Sequence, residues 1–208
     1  MSFSETEIAD FYNTQAPHGR LTVDGKFVDK NLRFWYQEFM LMTKDQPIFF
    51  DLGCGDGRET RLYREVFGNL DHYYGLDLSS GMLRFTQSQT SEVKLIRGSF
   101  SHLPFAGESL PSVWAAASYL HLDRDQIESA LTELHRCLMP GACGFISLKG
   151  HPHEPIADYN QHLARRYSLS EFTPLLENAG FEVTCRISDP IRDPRGVTWL
   201  GFFFTKPK

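Results

Sequence analysis

The stretch Phe49-Phe50-Asp51-Leu52-Gly53-Cys54-Gly55-Asp56-Gly57-Arg58 decides the fold. Ile48, Phe49 and Phe50 begin a short apolar run that meets glycines at 53, 55 and 57. Glycine lets a backbone turn sharply and approach a ligand that a Cβ would push away. An open parallel sheet binds its ligand beyond the carboxyl ends of its strands, where this loop would lie. A second extended segment, residues 72–77, ends at Asp77, about 20 residues after Gly57. A carboxylate there can accept both hydrogen bonds of a ribose hydroxyl pair, so a nucleoside ligand is the first inference.

Outward from this unit, strands and helices alternate. Helical segments are predicted at 4–12, 29–44, 59–67, 79–89, 123–138 and 168–178, and extended ones at 93–97, 112–117, 142–149, 181–188 and 197–205. Ser4 and Glu7 form a capping-box pair at the first helix. Residues 13–28 read as an irregular loop, and Pro140-Gly141 as the end of the fifth helix. Alternation implies a parallel sheet covered on both faces. The last two extended segments, joined by a short turn, must be antiparallel neighbours at its edge. The expected fold is α/β: a Rossmann-like doubly wound sheet, mostly parallel with an antiparallel C-terminal strand, under an N-terminal helical cap.

A dinucleotide site needs G-x-G-x-x-G and a free helix N-terminus for the pyrophosphate. Here the third glycine comes one residue early, Arg58 follows it, and Asp56 stands inside the loop. Carboxylates at 51, 56 and 77 suit a cationic, phosphate-free nucleoside such as S-adenosylmethionine. DLGCGDGRET, GLDLSSGML, IRGSFSHLPF, SVWAAASYLHLDRDQIESALTELHRCLMPGACGFISLK and RYSLSEFTPLLENAGFEV together resemble, in order, the motifs of class I S-adenosylmethionine-dependent methyltransferases. The resemblance spans residues 48–185 and is nearest to a small bacterial subgroup acting on small molecules.

The resemblance implies a cofactor set. Gly53 and Gly55 pack under the methionine part, beside Asp51 and Cys54. Asp77 binds the ribose, Leu78 and Met82 flank the adenine, and Ser99 and Phe100 sit at its edge. Ala116 and Ala117 line the methionine side, and Tyr12 closes over the ligand. Many relatives carry Asp where Ser99 stands, and Pro111-Ser112 replaces a common aromatic-Asp pair.

Methyl transfer from a sulfonium is an in-line displacement that needs alignment and dryness, and a base only where the acceptor must lose a proton. His121 and Tyr12 are the catalytic candidates, with His151 and His153 as further bases. Each has a plainer reading: His121 shapes a turn, and His151 and His153 are a solvated pair lacking a third metal ligand. Lys149 is either a buried strand end or the partner of a substrate carboxylate. Arg165 and Arg166 read as solvated, Trp35 and Phe39 as core, and Cys54 as packing.

Composition bounds the rest. With 26 acidic against 21 basic residues the net charge is −5, which disfavours sequence-independent nucleic-acid binding. No membrane-length apolar run and no secretory pattern occurs. The four cysteines have no metal-site or disulfide spacing, so no metal and a reducing, cytoplasmic setting are expected. One domain is expected over 1–208: a helical cap (1–45), a cofactor core (46–149), an active-face insert (150–167) and a C-terminal helix and hairpin (168–208). So little chain remains outside the core that the expected acceptor is a small molecule. The acceptor atom and the oligomeric state stay open. The competing readings are a catalytically silent S-adenosylmethionine-binding module and an NAD(P)-dependent oxidoreductase.

Overall fold

A computed structural model describes residues 4–16, 30–45, 48–151, 164–188 and 197–208. Helix α1 (Glu5–Gln15) and helix α2 (Lys30–Met42) precede the sheet. Then come β1 (Phe49–Leu52), α3 (Arg58–Phe67), β2 (Tyr73–Asp77), α4 (Ser80–Gln89), β3 (Lys94–Arg97) and β4 (Leu110–Ala116). A 3₁₀ turn (Tyr119–His121) leads to α5 (Arg124–Cys137) and β5 (Leu138–Gly150). β6 (Arg166–Tyr167), α6 (Leu169–Asn178), β7 (Glu182–Ser188) and β8 (Trp199–Thr205) complete the order.

The strands lie in the order β3-β2-β1-β4-β5-β8-β7, with β6 pairing β5 beside that path. β1 to β5 are parallel, and β8 is antiparallel to both β5 and β7. The last two strands are antiparallel neighbours at one end of the sheet, as expected, and the antiparallel strand is β8. It is inserted between β5 and β7, and β7 is the edge.

Strand residues alternate between two cores, as the period of 2 demands. Val113, Ala115, Ile146, Phe202 and Phe204 face α5 and α6, among Ile127, Leu131, Leu134 and Phe172. Trp114, Ala116, Phe145 and Phe203 face the opposite way, toward α2 and α3. Trp35 and Phe39 of α2 are 3% and 0% exposed there, in the core as expected. Burial on both faces explains why the strands read as continuous apolar runs.

Three helices start on reciprocal caps: Ser4 with Glu7, Asp123 with Gln126, and Ser168 with Glu171. Two boundaries differ from the sequence reading. α1 runs on to Gln15, so the predicted loop begins later; its residues 17–28 lie outside the described ones. Pro140-Gly141 lies inside β5 rather than ending α5. The C-terminal segment holds it there, with Gly141 N donating to Lys206 O at 2.8 Å and Lys206 N to Ala142 O at 2.9 Å. Of the expected insert, 152–163 lie outside the described residues, and Arg166 and Tyr167 form the short strand β6.

Candidate functional site

The glycine loop turns immediately after β1. Gly53, Gly55 and Gly57 all have positive φ, at +86°, +51° and +78°. A Cβ on Gly53 would stand 2.3 Å from Ser118 Cβ, so the loop and the end of β4 meet as closely as backbone allows. Ser118 Oγ donates to Leu52 O at 2.8 Å and fixes that approach. Asp77, at the end of β2, accepts from Gly55 N and from Ser79 N, each at 2.8 Å and on different oxygens. A carboxylate has about four acceptor positions, so these amides leave it room to accept from a ligand hydroxyl. Burial pushes the Asp77 carboxyl up, and the backbone amides of Ser79, Gly55 and Leu78 pull it back toward the ionised form.

These elements wall a cleft of about 210 Å³ beyond the carboxyl ends of the strands. Gly53, Cys54, Gly55, Asp77, Leu78 and Met82 line it. So do Ser99, Phe100, Ala116, Ala117, His121 and Tyr12. Ala117 holds φ +59°, an unfavourable conformation for a residue with a Cβ, at the point where β4 enters the cleft. Cys54 is buried within that wall, and Gly75 makes room for its sulfur, from which a Cβ on Gly75 would lie 2.9 Å. Burial raises its thiol pKa well above the usual range, which leaves Cys54 unreactive packing.

Asp51 is a correction. It is 1% exposed and lies off the cleft wall, accepting a hydrogen bond of 2.5 Å from Tyr73 Oη. Side chains alternate along β1, and Asp51 points into the layer behind the loop. Burial, then the charge of Glu59, holds its carboxyl well above the ordinary range. His151 keeps to its plainer, solvated reading. Its Nε2 lies 2.9 Å from Glu171 Oε2 at the start of α6, and it is absent from the cleft wall. His153 lies outside the described residues. Among the described residues no cluster of three or more His, Cys, Asp or Glu could hold a metal.

Helix α1 lies across the cleft and is tied down at three points. Tyr12 Oη sits 2.7 Å from His121 Nε2. Asn13 Oδ1 accepts from Ser79 Oγ at 2.9 Å and from Gly81 N at 2.8 Å, capping α4 from another helix. Glu5 accepts from Ser99 Oγ and Ser101 Oγ after β3. The sequence reading missed Asn13, Glu5 and the cleft-lining Trp199. Their partners are remote in the chain, and no local pattern marks them. Lys149, which the sequence left between two roles, also stands on the cleft wall.

A family model described as a methyltransferase domain matches residues 49–141. The match takes in the glycine loop, Asp77 and the strands β1 to β4. A demethylmenaquinone methyltransferase from Chlamydia caviae is 28% identical over 145 residues, 68% of this chain and 60% of that protein. The chain thus spans three-fifths of that curated relative's length. Among solved structures, the cyclase SpnF has a TM-score of 0.74 at 14% identity, over 100% of this chain and 97% of that one. A geranyl diphosphate methyltransferase has 0.71 at 15%, over 97% and 99%. A methyltransferase from Methanosarcina mazei has 0.66 at 16%, over 81% and 97%. At these identities the three show the shared fold.

The wall of the cleft fits S-adenosylmethionine. Gly53 leaves a cradle that a Cβ would fill, and Asp77 keeps acceptor positions for a ribose. The acidic lining, Asp56, Glu59 and Asp77, favours a cation over a pyrophosphate.

Proposed function

We propose that this chain transfers a methyl group from S-adenosylmethionine to a small-molecule acceptor. The observation that carries this reading is Asp77, whose carboxylate is fixed by the glycine loop's own amide and still faces the cleft. The methyltransferase domain over 49–141 and the curated methyltransferase relative support it. The cofactor supplies an electrophilic sulfonium methyl when bound.

The chain's residues supply binding, orientation and dryness. Asp77 takes the ribose hydroxyls, Gly53 and Gly55 pass under the methionine part, and Leu78, Met82, Ser99 and Phe100 enclose the base. Ala116 and Ala117 line the methionine side. Helix α1 covers the cleft with Ile8, Ala9 and Tyr12 and keeps water from the reacting atoms. His121, hydrogen-bonded to Tyr12, is the group placed to take a proton from the acceptor where one must leave. The four cysteines, all free thiols, agree with a reducing compartment.

Calorimetry with S-adenosylhomocysteine, and with NAD as the control, tests the cofactor half. Binding of the first, weakened at least about 30-fold in Asp77→Ala, is expected, given two lost charge-assisted bonds. Tight NAD binding with no S-adenosylhomocysteine binding would overturn it. Acceptor-dependent release of S-adenosylhomocysteine tests transfer, and binding without turnover across a broad acceptor screen would leave the silent-module reading in its place.

A further inference from the structure

One end of the cleft carries an acidic side chain that the sheet does not supply. On the methyltransferase reading the ribose lies at Asp77, at the end of β2, and the methionine part at Ala116 and Ala117, at the end of β4. The strand order β3-β2-β1-β4 then leaves the base one direction, beyond β2 toward the end of β3. There the wall is made by Leu78, Met82, Gly98, Ser99, Phe100 and, from helix α1, Glu5. Leu78, Met82 and Phe100 offer apolar faces to a ring, and none of their side chains can accept a hydrogen bond from its rim.

Glu5 can. Ser99 Oγ and Ser101 Oγ both donate to its Oε1, the second at 2.5 Å. A hydroxyl has a single proton, so neither serine has one left for a ligand. Ser99 Oγ is itself positioned by Ser101 N, which donates to it at 3.1 Å. Among the described residues nothing donates to Glu5 Oε2. The side chain is half-buried, and an oxygen fixed in that way on a cleft wall needs an N–H or O–H donor from whatever fills the cleft. Adenine carries such a donor on its rim, the exocyclic amino group, where a 6-oxopurine carries an accepting oxygen.

We propose that Glu5 reads the base: its Oε2 accepts from the exocyclic amino group of the cofactor's adenine, so that helix α1 selects an aminopurine over an oxopurine. This rests on the methyltransferase reading and deepens it. The sheet holds the ribose, and the covering helix holds the base. Tyr12 and Asn13 fasten the C-terminal half of α1 whatever the ligand. At the N-terminal end the amino group adds a bond that only the correct base supplies, so recognition of the base and fastening of α1 are one event.

The test titrates the full chain with S-adenosylhomocysteine and with S-inosylhomocysteine, in which oxygen replaces the amino group. The readout is the ratio of the two affinities. The wild type should prefer the adenosyl ligand about tenfold or more. In Glu5→Ala that preference should shrink about fivefold or more. A mere tie between α1 and the sheet would weaken both ligands equally and leave the ratio unmoved. In Glu5→Gln the two serines keep the amide oxygen, the amide nitrogen faces the base as a donor, and S-inosylhomocysteine should bind more tightly than it does to the wild type. Equal binding of the two ligands by the wild type, or a ratio unchanged in Glu5→Ala and Glu5→Gln, overturns the proposal. Should Glu5→Ala fail to fold, Glu5→Gln keeps the length of the side chain and its serine contacts and reads the same ratio. Absence of S-adenosylhomocysteine binding by the wild type would instead overturn the cofactor reading.

Discussion

Tyr12 Oη lies 2.7 Å from His121 Nε2, although 109 positions separate them in the chain. The contact joins the covering helix to the turn after β4, so one pair links the cover of the cleft with the group proposed to accept a proton. Their rings also meet edge to face, with centroids 5.2 Å apart. His121→Asn should lower kcat by about 10²–10⁴ with an acceptor that must be deprotonated. Tyr12→Phe should cost less, because it removes an orienting partner and leaves the imidazole in place. S-adenosylhomocysteine affinity should change by less than about threefold in His121→Asn, measured by calorimetry; a larger loss would move His121 from proton transfer to cofactor binding.

Asn13 should govern how firmly α1 is held. Its side-chain oxygen satisfies Gly81 N, one of the amides left without a partner in the first turn of α4. Loss of such a cap costs about 0.5–2 kcal/mol. In Asn13→Ala, α1 amides should exchange faster with solvent, and S-adenosylhomocysteine should bind about 3–10-fold more weakly. Unchanged exchange across α1 would show that Glu5 and Tyr12 suffice to hold it.

Gly53 admits no side chain. Its φ of +86° disfavours any L-residue with a Cβ by about 1–2 kcal/mol. The collision with Ser118 Cβ adds an overpacking cost of about 1–3 kcal/mol. Gly53→Ala should lower the thermal midpoint by more than about 5 °C and abolish S-adenosylhomocysteine binding. Differential scanning calorimetry reads the first and titration the second. A variant that keeps both would contradict the close approach of loop and β4.

Asp51 makes stability depend on pH with a definite sign. Below about pH 4 the carboxyl is protonated in the folded and the unfolded chain alike. As pH rises the unfolded chain ionises first, because burial and Glu59 hold the folded value up. The folded state then carries more protons than the unfolded one, and its stability falls through that window. Asp51→Asn removes the ionisation and keeps an oxygen for Tyr73. The variant should gain on the wild type as pH rises from 4 toward 8, at about 2–4 °C in midpoint per kcal/mol. A difference that is flat or shrinks with pH would contradict it.

The glycine loop, Asp77 and most of the cleft wall were legible because each is local: a strand, a turn and a helix in one short stretch. Asp51 was misplaced for the same reason. Proximity to the loop argued for the ligand, while the strand's alternation turned the side chain away. Asn13, Glu5 and Trp199 were not legible, since each finds its place through sheet order or helix docking: Glu5 and Trp199 at the cleft wall, Asn13 against α4. Pro140-Gly141 carries the punctuation of a break, yet the backbone of Lys206 pairs on both sides of it and keeps it in strand. Lys206 Nζ also satisfies carbonyls of His135 and Leu138 at 3.0 Å and 2.9 Å where α5 ends. Local propensity lost there to a partner far along the chain.

The place of β8 bears on how the protein is made. Among the described strands, β7 reaches the sheet through β8, which is synthesised after it. While the chain leaves the ribosome, β5 and β7 both wait with open ladder edges until the final segment arrives between them. A nascent edge of that kind is a template for mispairing. Trp199, which lines the cleft and pairs with Lys149, arrives with that same strand. The wall of the cleft is therefore completed only once β8 is in place, and a ribosome stalled before β8 would hold a glycine loop and an Asp77 beside an unfinished wall.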